Sequence, residues 1–235
     1  MRYMGSKAKY TKHIMPILME GHNAEKTYVE PFVGGGNMIA ACPAPTRWGN
    51  DTAEYAVALL DSLGSGWNPP DELSEEDYRA IKASPRHYPA HLVGFAMYSC
   101  SYAGKAWGGY ARGNDAKGAP RNFAAEQARH LRKQATGLKG IKWTTLDYRD
   151  MQIESGSTVY CDPPYAGTTD YKTGFNHKEF WNWCDDLVNK GCRVFVSEYV
   201  APEHWTPVWE KEVTNSLTKN TGAKRGVEKL FARSA

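Results

Sequence analysis

A carboxylate, two prolines and an aromatic ring stand together at Asp162, Pro163, Pro164 and Tyr165, directly after the strand-like run 157–161. Because Asp162 and Pro163 each precede a proline, both are expected to be extended. The prolines have no N–H, so this corner offers hydrogen-bond acceptors and few donors. A carboxylate and a carbonyl that accept both hydrogens of an exocyclic amine would localise its lone pair for attack, with Tyr165 stacked on the adjoining ring. The alternative is a proline-rich turn in which Tyr165 packs as an ordinary residue.

A second candidate site is the glycine-rich turn after the strand-like run 27–30, which reads Glu30, Pro31, Phe32, Val33, Gly34, Gly35 and Gly36. Three consecutive glycines allow positive φ and a close approach of the backbone to a ligand. Asp51 ends the next strand-like run, where an acidic residue of a βαβ unit can bind ribose hydroxyls. The turn matches neither the dinucleotide pattern G-x-G-x-x-G nor the triphosphate pattern G-x-x-x-x-G-K-[ST]. A purely structural turn is the alternative.

Charge is distributed unevenly along the 235 residues, although the net charge is only +3. The segment 79–143 is rich in Lys and Arg and contains only two acidic residues, Asp115 and Glu126. The rest of the chain is net acidic. A basic segment that also carries aromatic residues and glycines indicates contact with a polyanion.

Composition disfavours several classes of protein. No apolar run reaches the roughly 18 residues of a membrane-spanning helix, and no secretory signal is visible. The five cysteines are an odd number without C-x-x-C spacing, which argues for a reducing, cytoplasmic setting and against structural zinc. The seven histidines show no metal spacing, so we expect neither a metal nor a membrane partner. No cysteine follows a proline, which disfavours attack by a cysteine on carbon-5 of cytosine.

Strands and helices alternate as in a parallel α/β sheet, except in the middle of the chain. The alternation stops near 77 and resumes near 142, so we predict a catalytic domain at 1–77 and 142–235 with an insert at 78–141. Proline and acidic residues predict a loop at 67–77. The predicted strands are 27–30, 46–50, 142–146, 157–161 and 192–197, followed by an antiparallel pair at 208–214 and 227–232. The predicted helices are 8–20, one from 37, 54–63, 91–100, 124–136 and 177–189.

Together these segments resemble the Dam-type (D12 class) DNA adenine-N6 methyltransferases, which use S-adenosylmethionine, over nearly the whole chain. The order of glycine turn, insert and Asp-Pro-Pro-Tyr motif is that of this family. The resemblance implies a Rossmann-like methyltransferase sheet of the α/β class, mostly parallel with a terminal antiparallel hairpin, and an inserted DNA-recognition region. It also implies that an adenine is flipped out of double-stranded DNA and methylated at N6.

The resemblance assigns roles residue by residue. Asp162, Pro163, Pro164 and Tyr165 match the family's catalytic motif. The residues expected to bind S-adenosylmethionine are Tyr3, Lys7, Glu30, Pro31, Phe32, Gly34, Gly35, Gly36, Asp51, Asp147, Tyr148 and Asp162. Lys7 would pair with the carboxylate of the cofactor, with Tyr3 nearby, and Asp51 would accept hydrogen bonds from its ribose or adenine. The alternative for Lys7 is a solvated lysine at a flexible chain end.

Within the insert, residues 104–112 resemble the Gly-Lys-Trp…Gly-Gly-Tyr-Ala-Arg stretch of phage-encoded members. It departs from the hairpin with which bacterial Dam enzymes read GATC, so the target sequence stays open. The residues expected to contact DNA are Lys105, Trp107, Tyr110, Arg112 and Arg121. Local packing under a loop is the alternative for the two rings.

Three other functions remain compatible with the sequence. Methylation of cytosine N4 uses the same acceptor chemistry, and methylation of RNA is a further possibility. A DNA-binding decoy would keep the fold without turnover, although it would have no need of Asp162 or of 34–36. A monomer is favoured. The sequence leaves open the oligomeric state and a role in self-protection, regulation or restriction-modification.

Overall fold

The computed structural model of the chain describes residues 1–165, 174–214 and 225–233. Within these residues, seven strands form one sheet in the order β3-β2-β1-β4-β5-β7-β6, with strand bounds β1 (Tyr28–Glu30), β2 (Arg47–Asn50), β3 (Lys142–Thr144), β4 (Thr158–Cys161), β5 (Arg193–Glu198), β6 (Thr206–Thr214) and β7 (Arg225–Ala232).

The sheet is parallel except at its last hairpin. β1 pairs in parallel with β2 and β4, β2 with β3, and β4 with β5, whereas β7 runs antiparallel to both β5 and β6. Because the chain moves outward from β1 to β3 and then returns to β4, the direction of strand order reverses between β1 and β4. In open α/β sheets a ligand crevice lies at such a point, outside the carboxyl ends of the strands. The glycine turn follows β1, and Asp162 follows β4.

The helices of the described residues are α1 (Thr11–Met19), α2 (Asn37–Ala41), α3 (Glu54–Gly64), α4 (Glu75–Ala83), α5 (Ala90–Gly94), α6 (Phe123–Leu138) and α7 (His177–Asn189). α5 continues into a π-helical turn, Phe95–Ser99. Short 3-10 turns occupy Ala8–Tyr10, Pro85–His87, Tyr102–Gly104 and Tyr148–Asp150. In this part of the chain no helix has the length and apolar character needed to cross a membrane.

Two apolar clusters cover the two faces of the sheet, because successive strand residues point to opposite sides. On β4, Tyr160 belongs to one cluster, and Val159 and Cys161 belong to the other. Residues of α1 to α6 pack on the Tyr160 face, and residues of α7 pack on the opposite face. The parallel strands β1, β2, β4 and β5 are therefore largely buried on both sides, which holds their carboxyl ends at a rigid edge.

The helices of the predicted insert pack on the helices that cover the sheet. A Cβ at Gly94 would lie 2.1 Å from the carbonyl oxygen of Tyr55, and a Cβ at Gly137 would lie 2.1 Å from that of Ala40. No residue larger than glycine fits such contacts, so α5 approaches α3 and α6 approaches α2 at backbone distance. The insert shares a core with its surroundings, and its boundaries at 78 and 141 stay predictions.

The predicted fold class and the terminal antiparallel pair are confirmed. The predicted loop at 67–77 is wrong at its end, because α4 begins at Glu75. Ser74 Oγ accepts a hydrogen bond of 2.9 Å from the Asp77 N–H, and the Asp77 carboxylate accepts one of 3.4 Å from the Ser74 N–H. This capping box satisfies donors at the start of the helix and outweighs the acidic, proline-rich context.

Candidate active site

The candidate catalytic corner begins where β4 ends, and its carboxylate is paired with a lysine from the start of the chain. Lys7 Nζ lies 2.9 Å from Asp162 Oδ1 and 3.3 Å from Oε1 of Glu228, a residue of β7. The Lys7 side chain is only 7% exposed and that of Glu228 is 8% exposed. The solvated alternative for Lys7 is therefore wrong, since Lys7 is the shared counter-ion of two carboxylates.

Tyr165 completes this cluster. Its hydroxyl donates a hydrogen bond to Glu228 Oε1, and the Lys7 ammonium lies 4.6 Å from the centroid of its ring. The ring of Tyr199, just after β5, meets Tyr165 edge to face with the centroids 4.9 Å apart. Tyr165 is thus held at its hydroxyl, at one face and by a second ring, so the plane of the ring is fixed before any base arrives.

Burial and neighbouring charges set the protonation of the cluster. Burial raises the pKa of Asp162, and the Glu228 charge adds to the rise, against the lowering effect of Lys7. Burial lowers the pKa of Lys7, but the two carboxylates outweigh it and the net direction is upward. Burial and the same carboxylates raise the pKa of Tyr165 well above its usual value. At neutral pH, Lys7 therefore stays charged and Tyr165 stays a hydrogen-bond donor.

The Asp162 carboxylate is mostly buried but keeps some exposure to solvent. Its side chain is 22% exposed, while burial is the largest influence on its pKa. The carboxylate is therefore mostly enclosed by protein and keeps a small exposed surface. Pro163 is buried, and Pro164 and Tyr165 are half-buried, so the acceptor-rich corner predicted from the sequence keeps partial access to solvent.

The glycine turn is tied to the end of β2. The Gly34 N–H donates a 2.8 Å hydrogen bond to Asp51 Oδ2, and the Val33 N–H donates one of 2.8 Å to the Asn50 carbonyl. The other Asp51 oxygen accepts the Ala53 N–H at 3.0 Å. Burial raises the pKa of Asp51, against the lowering effect of these backbone donors. The structure therefore brings Asp51 and the glycine turn together, as expected from a βαβ unit.

Tyr3 lies against the same turn. A Cβ at Gly35 would stand 2.8 Å from Tyr3 Cβ, and a Cβ at Gly34 would stand 3.1 Å from the Tyr3 ring. A Cβ at Gly36, which has a φ of +64°, would stand 2.8 Å from the side chain of Leu60. The purely structural alternative for these glycines therefore has support, because the protein's own N-terminal segment and α3 occupy the space beside them. Their approach to a ligand stays a prediction.

Glu30 is a buried carboxyl at the end of β1. It is 2% exposed and accepts a 2.7 Å hydrogen bond from the Tyr28 hydroxyl. Burial raises its pKa to about 8, so the group is mostly protonated at neutral pH. The neighbouring Pro31 carbonyl accepts a 3.0 Å hydrogen bond from the side chain of Asn50, which also binds the backbone of Leu146 through both its amide atoms. Asn50 therefore fastens the segments after β1 and β3 to β2.

Asp147 and Tyr148 lie in a separate group at the same edge. Asp147 accepts 2.8 Å hydrogen bonds from the guanidinium of Arg149, which lowers the pKa of the carboxyl. Tyr148 is buried against Phe32, with ring centroids 5.3 Å apart. Phe175, Phe180 and Trp183 surround the Tyr148 ring. These contacts are packing, and the role of Phe32, Asp147 and Tyr148 toward a cofactor stays a prediction.

The predicted DNA-contacting rings pack against the insert itself. Trp107 and Tyr110 both meet the ring of Tyr78 on α4, with centroids 5.5 and 5.6 Å apart. The Tyr110 hydroxyl donates a 2.7 Å hydrogen bond to the Leu73 carbonyl. A bridge between Ser101 and Tyr110 closes the loop that carries Lys105 and Trp107. The packing alternative therefore describes both rings, which hold an exposed basic loop in place.

The predicted arginines form surface ion pairs. Arg112 Nε donates a 3.0 Å hydrogen bond to Glu75, and its side chain is 66% exposed. Arg121 Nε donates one of 2.9 Å to Glu126. Lys105 is exposed near the end of its loop. Exposed pairs of this kind contribute little to stability because water screens them, so both arginines can exchange a carboxylate for a phosphate at small cost. The DNA assignments of Lys105, Arg112 and Arg121 stay predictions.

Sequence reasoning missed three residues of the site: Asn50, Tyr199 and Glu228. The sequence carries no local signal for Glu228, since it lies 63 positions after Tyr165 in a terminal hairpin. Asn50 directly precedes Asp51, and a polar residue at a buried strand end is a signal that could have been used. Within the described ranges, no three His, Cys, Asp or Glu side chains gather as metal ligands. All five cysteines are free and buried.

Comparison with known proteins gives one informative match. The family model for the D12 class N6 adenine-specific DNA methyltransferases matches residues 3–85 and 72–224. This match includes the glycine turn, Asp51 and the corner at Asp162. No curated relative matches the chain.

Among solved structures, the chain is similar to the tRNA (m1A58) methyltransferase TrmI from Aquifex aeolicus, with 11% sequence identity and a TM-score of 0.43. The likeness covers 100% of this chain and 71% of that chain, and it is too weak to support a conclusion about function. The family match spans well over half of the sequence, and its motif residues lie at one edge of a sheet with the predicted topology. The chain therefore belongs to the D12 class N6 adenine-specific DNA methyltransferases.

Proposed function

We propose that this enzyme transfers a methyl group from S-adenosylmethionine to N6 of an adenine that has been flipped out of duplex DNA. Family membership supports methylation of adenine in DNA. The observation that carries the remainder is the corner after β4, where the partly exposed carboxylate of Asp162 pairs with Lys7 beside the ring of Tyr165. A stacked base cannot present N6 in line to a methyl donor, so the base has to leave the duplex.

The residues at the carboxyl edge fit a cofactor that carries ribose hydroxyls. Asp51 accepts hydrogen bonds from the backbone N–H groups of Gly34, Ala53 and Thr52, and a carboxylate offers about four acceptor positions. About one position is therefore left for a hydroxyl donor. Glu30 adds a buried carboxyl at the end of β1, suited to a cationic amino group. The bound cofactor would supply an electrophilic methyl group on a sulfonium sulfur.

The chain's own residues would prepare the amino group for attack. Asp162 and the Pro163 carbonyl would each accept one hydrogen of N6, which localises the nitrogen lone pair. As the new nitrogen–carbon bond forms, the carbon–sulfur bond breaks and its electron pair stays on sulfur. The nitrogen then releases one proton, and Asp162 is the carboxylate already in contact with it. Tyr165 would stack on the base and set its plane, so that much of the rate gain comes from orientation.

The insert would hold the duplex. Lys105, Arg112 and Arg121 are exposed basic side chains on the segment with the positive charge excess. Trp107 and Tyr110 hold the loop that carries Lys105 in place through their contacts with Tyr78. We infer that phosphate contacts from this region supply most of the affinity for DNA, independently of Asp162.

Replacement of Asp162 tests the proposal. Asp162→Ala removes the acceptor, and Asp162→Asn replaces one acceptor oxygen with a donor, so both variants should lose methylation while they keep most of the DNA affinity. Asp61→Ala, at an exposed position on α3, is the matched control. Methylated bases are identified by mass spectrometry of nucleosides from duplex DNA incubated with S-adenosylmethionine.

The product also decides between the remaining functions. N6-methyladenine supports the proposal, and N4-methylcytosine would replace adenine with cytosine as the target. Binding of DNA without any methylated product would identify a decoy. If either Asp162 variant keeps a rate within about tenfold of the wild type, a barrier change of only about 1.4 kcal/mol, Asp162 is not catalytic.

A further inference from the structure

We propose that Glu228 is a positioning residue that takes over the Lys7 ammonium when Asp162 turns to the amino group of the substrate. The inference rests on the proposed function, since it concerns the same corner. Glu228 is remote in sequence from that corner and reaches it only through the terminal hairpin. Its side chain contacts Lys7 and Tyr165, and it would act through these two residues.

The geometry offers Lys7 two alternative partners. Its ammonium lies 2.9 Å from Asp162 and 3.3 Å from Glu228. The Asp162 oxygen that pairs with Lys7 is an oxygen that could otherwise accept a hydrogen from N6. Without Glu228, release of Asp162 would leave the buried ammonium with no carboxylate and only the Gly5 carbonyl at 3.4 Å, and a buried charge that has lost its counter-ion is strongly unfavourable. With Glu228 in place, Lys7 exchanges one carboxylate for the other through a small side-chain movement.

The second argument concerns charge. Methyl transfer moves a positive charge from sulfur to the nitrogen beside Asp162. A lysine next to that nitrogen would repel the developing charge. Glu228 neutralises Lys7, so the negative charge of Asp162 stays available to stabilise the nitrogen in a recess where electrostatic effects are strong. Removal of the Glu228 charge would therefore raise the barrier even though Asp162 itself is intact.

The third argument concerns Tyr165, whose hydroxyl donates to Glu228. The same carboxylate thus fixes the ring that stacks on the base and the ammonium beside the acceptor. Other groups act on Glu228 as well: Asp162 and Tyr160 are electrostatically coupled to it, and Lys211 is its register partner on β6. Apolar residues of similar volume in place of a buried ion pair are often neutral or stabilising, so stability alone does not explain this buried charge, and a function in the site does.

Glu228→Gln tests the inference, because the amide keeps the size and an acceptor for Tyr165 but removes the charge. We expect binding of S-adenosylmethionine and of DNA within about twofold of the wild type, and kcat lower by at least about tenfold. The Glu228 charge raises the pKa of Asp162, so its removal should move the acidic limb of the kcat profile to lower pH. Glu212→Gln, exposed on β6, is the control from the same hairpin.

A double variant separates charge from folding. With Lys7→Gln added to Glu228→Gln, the uncompensated ammonium is gone, so kcat should rise above that of Glu228→Gln alone. Thermal melting reports whether each variant is folded. If wild type methylates adenine but Glu228→Gln keeps kcat within about threefold and leaves the acidic limb in place, the role of Glu228 is refuted and the proposed function stands. If wild type itself makes no N6-methyladenine from S-adenosylmethionine, the proposed function fails first.

Discussion

Glu30 gives the sharpest link between a buried group and a measurable pH dependence. It is 2% exposed at the end of β1, and burial raises its pKa from 4.5 to about 8. Its hydrogen bond with the Tyr28 hydroxyl lowers the pKa, and the nearby Asp162 charge raises it further. The perturbation is Glu30→Gln, which keeps the shape and an acceptor for Tyr28 but cannot ionise.

The sign follows from proton binding in the two states. The unfolded chain releases the Glu30 proton near pH 4.5, whereas the folded protein holds it until about pH 8. The stability from this group is therefore complete below the unfolded pKa and is lost as the pH rises to the folded pKa. One pKa unit corresponds to about 1.4 kcal/mol. Wild type should thus lose roughly 3–4 kcal/mol relative to Glu30→Gln between pH 5 and pH 8.

Urea unfolding of both proteins across this pH range measures the difference. Glu25→Gln, at an exposed position before β1, should follow the wild type. The same proton also allows a test by ligand binding. If Glu30 pairs as a carboxylate with the amino group of the cofactor, it has to release its proton when the cofactor binds. Calorimetry in buffers of different ionisation enthalpy should show release of close to one proton per S-adenosylmethionine at pH 7, and none for Glu30→Gln. Parallel stability curves for wild type and Glu30→Gln would refute the buried, protonated state.

Three further predictions concern Asp51 at the cofactor edge and Lys105 and Arg112 in the insert. Asp51→Ala should weaken the binding of S-adenosylmethionine by about 1.5–3 kcal/mol. Asp51→Asn should also weaken this binding, because the amide NH₂ would face either the Gly34 N–H or the ribose. An affinity that calorimetry finds unchanged would remove Asp51 from the cofactor site. Lys105→Ala should weaken binding to all duplexes alike, and it should reduce the slope of log affinity against log salt concentration by roughly one. If Arg112 leaves Glu75 and reads a base, Arg112→Ala should lower the binding free energy for the cognate duplex by about 1–3 kcal/mol. Fluorescence anisotropy at several salt concentrations distinguishes the two, and wild-type binding by both variants would exclude the insert as the DNA-reading region.

Most elements could be predicted because their signals are local. Helix α7 has the predicted bounds of 177–189, and β1, β2, β4 and β5 agree with prediction to within one residue at each end. The glycine turn and the two prolines mark strand ends by backbone chemistry alone, and parallel strands place those ends at one edge. The error at α4 was also local, since Ser74 and Asp77 form a capping box that a residue-by-residue reading can find.

The sequence by itself determined the α/β class, the acceptor corner at Asp162 and the glycine turn with Asp51, because each is a short segment whose conformation follows from its own residues. Only the tertiary structure decided what those segments touch. It placed Lys7 between Asp162 and Glu228, set Tyr3 against Gly34 and Gly35, and paired Arg112 with Glu75. Such partners are distant in sequence and meet only in the folded protein, so no sequence spacing predicts their contacts.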